Sequence, residues 1–227
     1  MQLRRTLIFS LSLALSACGG GGGGGGSVST NSDQGQAFGL DARAIASSVQ
    51  IPTDVGGGGG QVALVNAFAN LQFNGPVALT HAGDGSNRLF VAERGGAIKV
   101  FANRRDATQA TTVLDLEARV DSQGGEAGFL GLAFDPGFRT NRTFYVSYAT
   151  KDTVPRKVRL ARYRISSSNP NAVEANSERV LLEIDHPNAY HFGGWIGFGP
   201  DGLLYMTHGD GGNLADAQDT ASLFGKV

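Results

Sequence analysis

The feature that most constrains the fold of this chain is an internal repeat of short apolar runs. Three runs, LFVA, FYVS and LYMT, begin at Leu89, Phe144 and Leu204 and are therefore 55 and 60 residues apart. A segment of small and apolar residues and a turn rich in Gly, Asp and Pro precede each of them. Runs of β-branched and aromatic residues between such turns are typical of strands. A repeat of this period indicates one structural unit that recurs along the chain.

Each full repeat contains four predicted strands, which make one blade of a β-propeller. The predicted strands are residues 77–79, 89–92, 97–101 and 113–116 in the first repeat, 132–134, 144–147, 159–165 and 179–184 in the second, and 196–198 and 204–207 in the third. The fold class is thus all-β. Because a propeller closes into a ring of roughly four to eight blades, we expect the chain to be the N-terminal part of a longer protein, truncated to about two and a half blades. An open ring also exposes strand edges, so an alternative expectation is that this part does not fold alone.

The composition of the strands predicts their places within a blade. The first strand of a repeat, such as residues 77–79, is short and made of small or apolar residues, which fits the crowded position beside the central channel. The longer amphipathic run Arg159–Tyr163 fits the outer edge of the blade, where one side of a strand faces water.

The first residues have the features of an export signal. Arg4 and Arg5 form a basic start, and the apolar stretch Leu7–Leu15 is too short to cross a bilayer. The only cysteine, Cys18, ends a Leu-Ser-Ala-Cys sequence that resembles the lipobox of bacterial lipoproteins. We therefore expect residues 1–17 to be a signal peptide and Cys18 to be lipidated. The alternative is an ordinary signal peptide with an unmodified thiol.

This interpretation predicts an exported lipoprotein of the cell envelope, in the periplasm or at the outer membrane if the organism is Gram-negative. The lipid on Cys18 would make the membrane a partner. Nucleic acid is excluded as a partner, because 19 basic residues stand against 20 acidic ones and no basic run is interleaved with aromatic residues.

Residues 18–70 are predicted to be a Gly/Ser-rich tether that is largely disordered. They include the glycine runs Gly19–Gly26 and Gly56–Gly60 and show little apolar periodicity. Only residues 40–49 have the character of a brief helix. Neither glycine run is a phosphate loop, because no Gly-Lys-Ser/Thr follows it. The propeller is therefore assigned to residues 71–227.

A predicted hairpin brings His191 and Asp210 near each other. If Gly199 faces Gly202 at the turn, His191 lies opposite Asp210. A type I turn with a glycine bulge, which Pro200 favours, shifts the register by one residue and turns the two side chains to different faces. Both registers remain open. Either keeps the two residues close, because flanking glycines let the strands fray.

A histidine beside an aspartate can act as a general base. The carboxylate fixes the tautomer of the imidazole and stabilises the imidazolium that forms when it takes up a proton. The alternative is that His191 bonds only a loop carbonyl and has a structural role. The other histidines, His81, His186 and His208, lack metal-ligand spacing and are predicted to lie at turns or strand ends. No metal ligand is predicted in this chain.

Two further groups of residues have both a functional and a structural interpretation. Trp195 and Tyr205 would line a sugar site, or belong to the core because they alternate along strands. An acidic loop follows the hairpin and is interpreted as solvated rather than as a calcium site, because it lacks the EF-hand spacing. Its residues are Asp210, Asn213, Asp216 and Asp219.

Three stretches of the chain carry a resemblance to a known family. They are residues 89–101 (LFVAERGGAIKVF), residues 124–141 (GGEAGFLGLAFDPGFRTN) and residues 191–212 (HFGGWIGFGPDGLLYMTHGDGG), which is followed by LFGKV at 223–227. In these stretches residues 71–227 resemble the N-terminal part of the glucose/sorbosone dehydrogenase family. That family includes soluble PQQ-dependent glucose dehydrogenase and the aldose sugar dehydrogenases.

The resemblance implies a six-bladed propeller that oxidises aldose sugars, or related alcohols or aldehydes, with PQQ and calcium. In the family, the histidine that His191 matches takes the proton of the anomeric hydroxyl while hydride passes to PQQ. The aspartate matched by Asp210 supports that histidine. A quinone or a cytochrome is the implied electron acceptor. The basic cofactor-binding residues and the calcium ligands of the family match positions beyond Val227.

Glu126 departs from the pattern of the family. Members that bind PQQ usually have a glutamine at this position, which contacts substrate and cofactor, and on this resemblance Glu126 is predicted to be cofactor-binding. A carboxylate near a cofactor that itself carries carboxylates weakens binding unless cations compensate. Glu126 would otherwise be a loop residue facing water. The departure leaves an alternative function, a non-catalytic surface propeller that binds a glycan or a protein.

Overall fold

A computed structural model describes residues 64–227 of the chain. The predicted signal peptide, Cys18 and the predicted helix over residues 40–49 lie outside the described residues. In chain order the elements are β1 (Pro76–Thr80), β2 (Arg88–Glu93), β3 (Ala97–Ala102), β4 (Thr111–Asp115), β5 (Phe129–Phe134), α1 (Phe138–Asn141), β6 (Thr143–Ala149), β7 (Lys157–Arg164), β8 (Arg179–Asp185), β9 (Gly193–Phe198), β10 (Leu204–His208) and α2 (Leu214–Gln218). Neither of these two helices has the length and apolar character that a membrane span needs.

The strands form two four-stranded sheets and one two-stranded sheet, all antiparallel. Strands β1 to β4 pair in chain order, β5 to β8 do the same, and β9 pairs with β10. Such up-and-down sheets are the blades of a propeller. Every strand that the repeat predicts is present among the described residues. The predicted all-β fold of four-stranded blades is therefore confirmed.

The first strands of the sheets lie beside one another, as their composition predicted. Strand β5 contacts both β1 and β9. Gly131 in β5 shows how close the approach is, because a Cβ atom there would lie 2.6 Å from the carbonyl oxygen of Gly194 and 2.7 Å from Oγ of Ser147. The Ser147 hydroxyl donates a hydrogen bond to that same carbonyl. Small residues on the first strand thus let neighbouring sheets meet at their inner edges.

The main core lies between the first two sheets. Its centre is aromatic: the ring of Phe134 lies 4.7 Å from that of Phe90 and 4.8 Å from that of Phe138, measured between centroids. Phe144 is fully buried and stacks on Tyr163 at 5.8 Å. Burial of large apolar side chains is the principal stabilising contribution to such an interface.

Two smaller clusters extend this core. Ala133, Leu160 and Ile196 pack between the second sheet and the β9–β10 hairpin. On the first sheet, Phe68 packs edge-on against Phe101 with ring centroids 4.9 Å apart. Phe68 lies within the stretch assigned to the tether, so contacts with the propeller begin before residue 71.

The prediction that residues 159–163 occupy the outer edge of a blade is wrong. These residues belong to β7, which pairs with β6 on one side and with β8 on the other. Arg159 is buried there, with Nε 2.6 Å from Glu183, Nη1 3.1 Å from Asp152 and Nη1 3.1 Å from the Tyr148 hydroxyl. Of the two arginines in this run, Arg159 therefore belongs to a buried polar network, whereas Arg162 is exposed. The outer strand is β8, most of which is exposed.

Candidate active site

The turn of the β9–β10 hairpin follows the glycine-bulge alternative. The Gly199 amide donates to the Leu203 carbonyl at 2.9 Å, and Gly202 has a φ of 78°, a conformation that favours glycine. As a result Phe198 pairs with Leu204, one residue out of the simple register. This offset by itself would turn the side chains of His191 and Asp210, at the far ends of the hairpin, to different faces of the sheet.

An irregularity further along the hairpin restores the simple register. The pairing shifts between Met206 and His208, so that His208 lies opposite Gly193. Gly193 has a φ of 65°, and this left-handed conformation absorbs the extra residue. His191 and Asp210 therefore meet, which settles the alternative that the sequence left open.

The imidazole of His191 is bound to the carboxylate of Asp210. Nδ1 of His191 lies 2.7 Å from Oδ1 of Asp210, and the same oxygen accepts the Gly212 amide at 2.8 Å. These two hydrogen bonds, the Gly212 bond being the stronger influence, hold the pKa of Asp210 below its ordinary value. An ionised carboxylate requires a proton on Nδ1 of a neutral imidazole, so Nε2 carries a free lone pair. The His191 side chain is 52% exposed, which leaves Nε2 accessible.

Glu126 is brought to the same place by a different loop. Its carboxylate accepts a hydrogen bond from the backbone amide of His191. The loop is fixed by Arg94, which donates to the carbonyl oxygens of Ala127 at 2.9 Å, Ser122 at 3.1 Å and Gly124. The three predicted site residues within the described part, His191, Asp210 and Glu126, therefore lie together.

The segment that leads into His191 is held by residues that the sequence analysis did not single out. Arg156 donates a hydrogen bond to the carbonyl oxygen of Asn188 at 2.9 Å and forms an ion pair with Asp121 at 2.7 Å. Its Cζ atom lies 5.3 Å from the ring centroid of Phe192. The Asn188 side chain donates to the Gly211 carbonyl at 2.6 Å. Arg156 and Asn188 have no motif of their own. Asn188 is close to His191 in the chain, whereas Arg156 lies in the loop between β6 and β7 and carried no signal.

His186 and His208 lie at strand ends, as predicted, but both are buried. Their ring centroids are 5.3 Å apart, and the rings of Phe192 and Phe224 pack against them. Burial lowers the pKa of both histidines below the ordinary value. No group of three or more potential metal ligands occurs among residues 64–227. These histidines therefore form part of an aromatic cluster beneath the His191 loop.

The remaining candidates have different surroundings. Trp195 is 58% exposed and Tyr205 39% exposed, so neither belongs to the core of the described residues. The Tyr205 hydroxyl donates to Asp201 at 2.6 Å. In the acidic loop, Asn213 caps α2 and its side-chain amide donates to Asp216 at 2.8 Å. That loop is thus organised by its own hydrogen bonds.

The described residues fit one wall of a site for a quinone cofactor. An accessible imidazole with a free Nε2 is the group that proton removal from a hydroxyl requires. The cations of the surrounding loops, Arg94 and Arg156, are engaged with carbonyl oxygens and with Asp121. Within the described residues an imidazole suited to proton removal is therefore present, whereas these two arginines are not directed at an anionic cofactor.

Comparisons with known proteins show the family to which these residues belong. The family model described as Glucose / Sorbosone dehydrogenase matches residues 73–227. Hedgehog-interacting protein of Mus musculus is 37% identical over 145 residues, which cover 60% of this chain and 21% of that protein. Quinoprotein glucose dehydrogenase B of Acinetobacter calcoaceticus is 28% identical over 146 residues, covering 61% of this chain and 29% of the relative.

Solved structures show the same relationship. The PQQ-bound form of aldose sugar dehydrogenase from Streptomyces coelicolor superposes with a TM-score of 0.56 and 25% identity, covering 68% of this chain and 43% of that chain. The apo-form of soluble aldose sugar dehydrogenase from Escherichia coli shares the fold, with a TM-score of 0.55 and 22% identity. The chain thus spans less than half the length of these structures and of the curated relatives named above. The family model matches most of the length of this chain, and the solved structures share its fold. This chain therefore belongs to the Glucose / Sorbosone dehydrogenase family.

Proposed function

We propose that the protein oxidises aldose sugars, or related alcohols or aldehydes, in a PQQ-dependent reaction for which His191 is the general base. The observation that carries the proposal is the 2.7 Å contact between Nδ1 of His191 and Asp210, which leaves Nε2 free on an accessible ring. The quinoprotein and the PQQ-bound dehydrogenase among the similar proteins support the choice of cofactor.

In the proposed reaction, Nε2 of His191 takes the proton of the substrate hydroxyl. The carbon that bears this hydroxyl loses a hydride, and its bond to oxygen becomes a carbonyl. PQQ, when bound, supplies the acceptor for the hydride. Asp210 keeps Nδ1 protonated before the transfer and stabilises the imidazolium after it. The buried Phe192 and the hydrogen-bonded loops keep the imidazole in place.

Further parts of the proposal rest on the resemblance to the family. Glu126 lies beside His191 and is proposed to contact the cofactor, and calcium is proposed as a second cofactor. A quinone or cytochrome would accept the electrons. We further propose that lipidated Cys18 anchors the exported protein at the membrane of the cell envelope, so that oxidation takes place outside the cytoplasm.

The test is an activity assay on the intact protein with PQQ and calcium. We expect reduction of an artificial dye in the presence of aldoses, and loss of that activity in His191→Ala. The exposed His81 provides a matched control, since His81→Ala removes an imidazole away from the site and should leave the rate unchanged. Absence of dye reduction over a broad panel of sugars, or full activity in His191→Ala, would overturn the proposal.

A second candidate is a non-catalytic surface propeller that binds a glycan or a protein. The similarity to a relative whose name describes interaction with another protein favours it, and so does the carboxylate of Glu126. Titration of PQQ into the intact protein separates the two functions. Saturable binding supports the dehydrogenase, whereas no binding at millimolar PQQ supports the binding module.

A further inference from the structure

Both polar groups of a single peptide unit, the one that joins Tyr190 to His191, are bound by side chains. The carbonyl oxygen of Tyr190 lies 3.0 Å from Nε2 of His186. On the other side, the amide of His191 donates to the carboxylate of Glu126. Glu126 and His186 come from different loops, so two distant parts of the chain fix one peptide plane.

The orientation of this peptide unit matters because of the backbone of His191. His191 has a φ of 59°, in the left-handed region that residues with a Cβ atom rarely adopt. The torsion φ describes rotation about the bond from the His191 nitrogen to its Cα atom. It therefore sets the direction of the imidazole relative to this peptide plane. A change in φ would alter that direction. Something must therefore hold the peptide plane in place.

The two side chains are placed in different ways. Glu126 is exposed and lies in the loop that Arg94 organises through three carbonyl oxygens. The His186 ring is fully buried, with the ring of Phe192 4.1 Å and that of Phe224 5.7 Å from it, between centroids. Because this ring is packed, it cannot follow the peptide if the peptide rotates. His186 is thus a fixed restraint on one side of the peptide, and Glu126 adds a hydrogen bond on the other.

From this geometry we infer that Glu126 and His186 are positioning residues, which hold the Tyr190–His191 peptide so that the imidazole of His191 stays on Asp210. One carboxylate oxygen of Glu126 is committed to the His191 amide. The role requires an acceptor oxygen and not a charge, so a glutamine serves equally well. Only the expected effect on catalysis rests on the proposed function. The placement of the His191 imidazole can be observed without any cofactor.

The test compares Glu126→Gln, which keeps an acceptor oxygen, with Glu126→Ala, which removes it, in the intact protein. In protein labelled with ¹⁵N-histidine, we expect NMR spectra of Glu126→Gln to retain the His191 Nδ1–H signal that marks the bond to Asp210. In Glu126→Ala that signal should be lost through exchange with water. Glu117→Ala, at an exposed glutamate of the preceding turn, is the matched control and should leave the signal intact.

Kinetics provide the second readout. Glu126→Ala should lower kcat by about 10- to 100-fold, the usual effect of losing a residue that orients a functional side chain, while KM changes little. Glu126→Gln is judged by the Nδ1–H signal alone, because the proposed contact between residue 126 and the cofactor also changes in this variant. A retained Nδ1–H signal in Glu126→Ala would overturn the inference, and so would loss of the signal from Glu126→Gln as well as from Glu126→Ala.

His186 is tested in the same way. His186→Gln keeps an N–H donor that can reach the Tyr190 carbonyl, whereas His186→Leu fills a similar volume without one. We expect the His191–Asp210 signal to survive only in His186→Gln, with thermal unfolding monitored to confirm that both variants fold. If the intact wild-type protein does not reduce the dye, the proposed function fails. The NMR result still decides whether Glu126 and His186 hold the imidazole of His191 on Asp210.

Discussion

At the scale of single residues, the chemistry of the site depends on which nitrogen of His191 carries the proton. Asp210 places it on Nδ1 through the 2.7 Å contact, and the Gly212 amide keeps Asp210 ionised. The low pKa of Asp210 keeps this carboxylate ionised throughout the neutral and mildly acidic range. A neutral amide at residue 210 could donate as well as accept, so it would not enforce the same tautomer.

We therefore predict that Asp210→Asn lowers kcat of the dye-reduction reaction by about 100- to 10,000-fold, as an incorrect tautomer does in other histidine bases. The fold should remain intact, because the two side chains have nearly the same shape. Steady-state kinetics and circular dichroism measure both quantities. Asp106→Asn, at a carboxylate that is 75% exposed, is the control. Unchanged kcat in Asp210→Asn would exclude the role assigned to this residue.

The two buried histidines make stability depend on pH. Because burial lowers the pKa of His186 and His208 in the folded protein, the unfolded chain binds more protons than the folded one below about pH 6.5. The free energy of unfolding should consequently fall as the pH is lowered from 7 to 5.5. The slope can reach at most about 1.4 kcal/mol per pH unit for each histidine. Urea denaturation at a series of pH values measures it.

The variant His208→Asn removes one of these groups, so the slope between pH 7 and 5.5 should become smaller even if the protein is less stable at every pH. The slope, and not the absolute stability, is the quantity to compare. A slope identical to that of the wild type would show that His208 does not contribute.

At the scale of secondary-structure elements, the approach of the inner strands decides where the site lies. Gly131 in β5 permits contact with β9, and β9 leads back to His191. The β9–β10 pairing then needs two irregularities, one at Gly202 and one between Met206 and His208, to bring the ends of the hairpin together. The site is thus a product of strand packing and of local register.

Gly131→Ala should destabilise the protein, because its methyl group would lie 2.6 Å from the Gly194 carbonyl oxygen and 2.9 Å from Cγ1 of Ile196. Backbone atoms cannot move aside easily, so we expect a loss of roughly 1–3 kcal/mol. Denaturant unfolding measures the loss. Gly125→Ala is the control, since nothing lies within 4 Å of its added Cβ atom. Equal stability of the two variants would contradict the close packing of β5 and β9.

At the scale of the whole molecule, the described residues depend on contacts between sheets. The aromatic cluster between the first two sheets contains residues from both, and smaller clusters continue to the β9–β10 hairpin. Such contacts join sheets that have no strand pairing with each other. Loss of one central side chain should therefore weaken both sheets.

Phe144→Ala tests this coupling. Phe144 is 1% exposed and contacts Tyr163 and Phe134, and Phe134 in turn lies 4.7 Å from Phe90 of the first sheet, so its truncation should destabilise the protein by about 3–5 kcal/mol. Hydrogen exchange should show faster opening of β1 to β4 as well as of β5 to β8. Phe144→Leu keeps most of the volume and is the milder control. Faster exchange confined to β5 to β8 would show that the sheets unfold independently.

The amino-acid sequence by itself determined the fold class and the ten strands, and it singled out His191, Asp210 and Glu126 as candidate site residues, which the structure brings together. These follow from local signals, namely alternating apolar runs, turn residues at fixed spacing and family motifs, which are written in short stretches of chain. The place of residues 159–163 was not predicted correctly, because an amphipathic run looks the same in an edge strand and in an inner strand whose Arg159 forms ion pairs.

Only the tertiary structure decided whether His191 and Asp210 face each other. The sequence offered two registers, and the choice depends on a second irregularity near Gly193, which arises where β9 meets β5. The contact of Glu126 with the Tyr190–His191 peptide was equally invisible, since Glu126 is 65 residues away in the chain. His186 lies in the same loop as this peptide, but no local pattern shows that its ring bonds the Tyr190 carbonyl. Contacts between distant segments depend on how sheets pack, and no local pattern of residues encodes them.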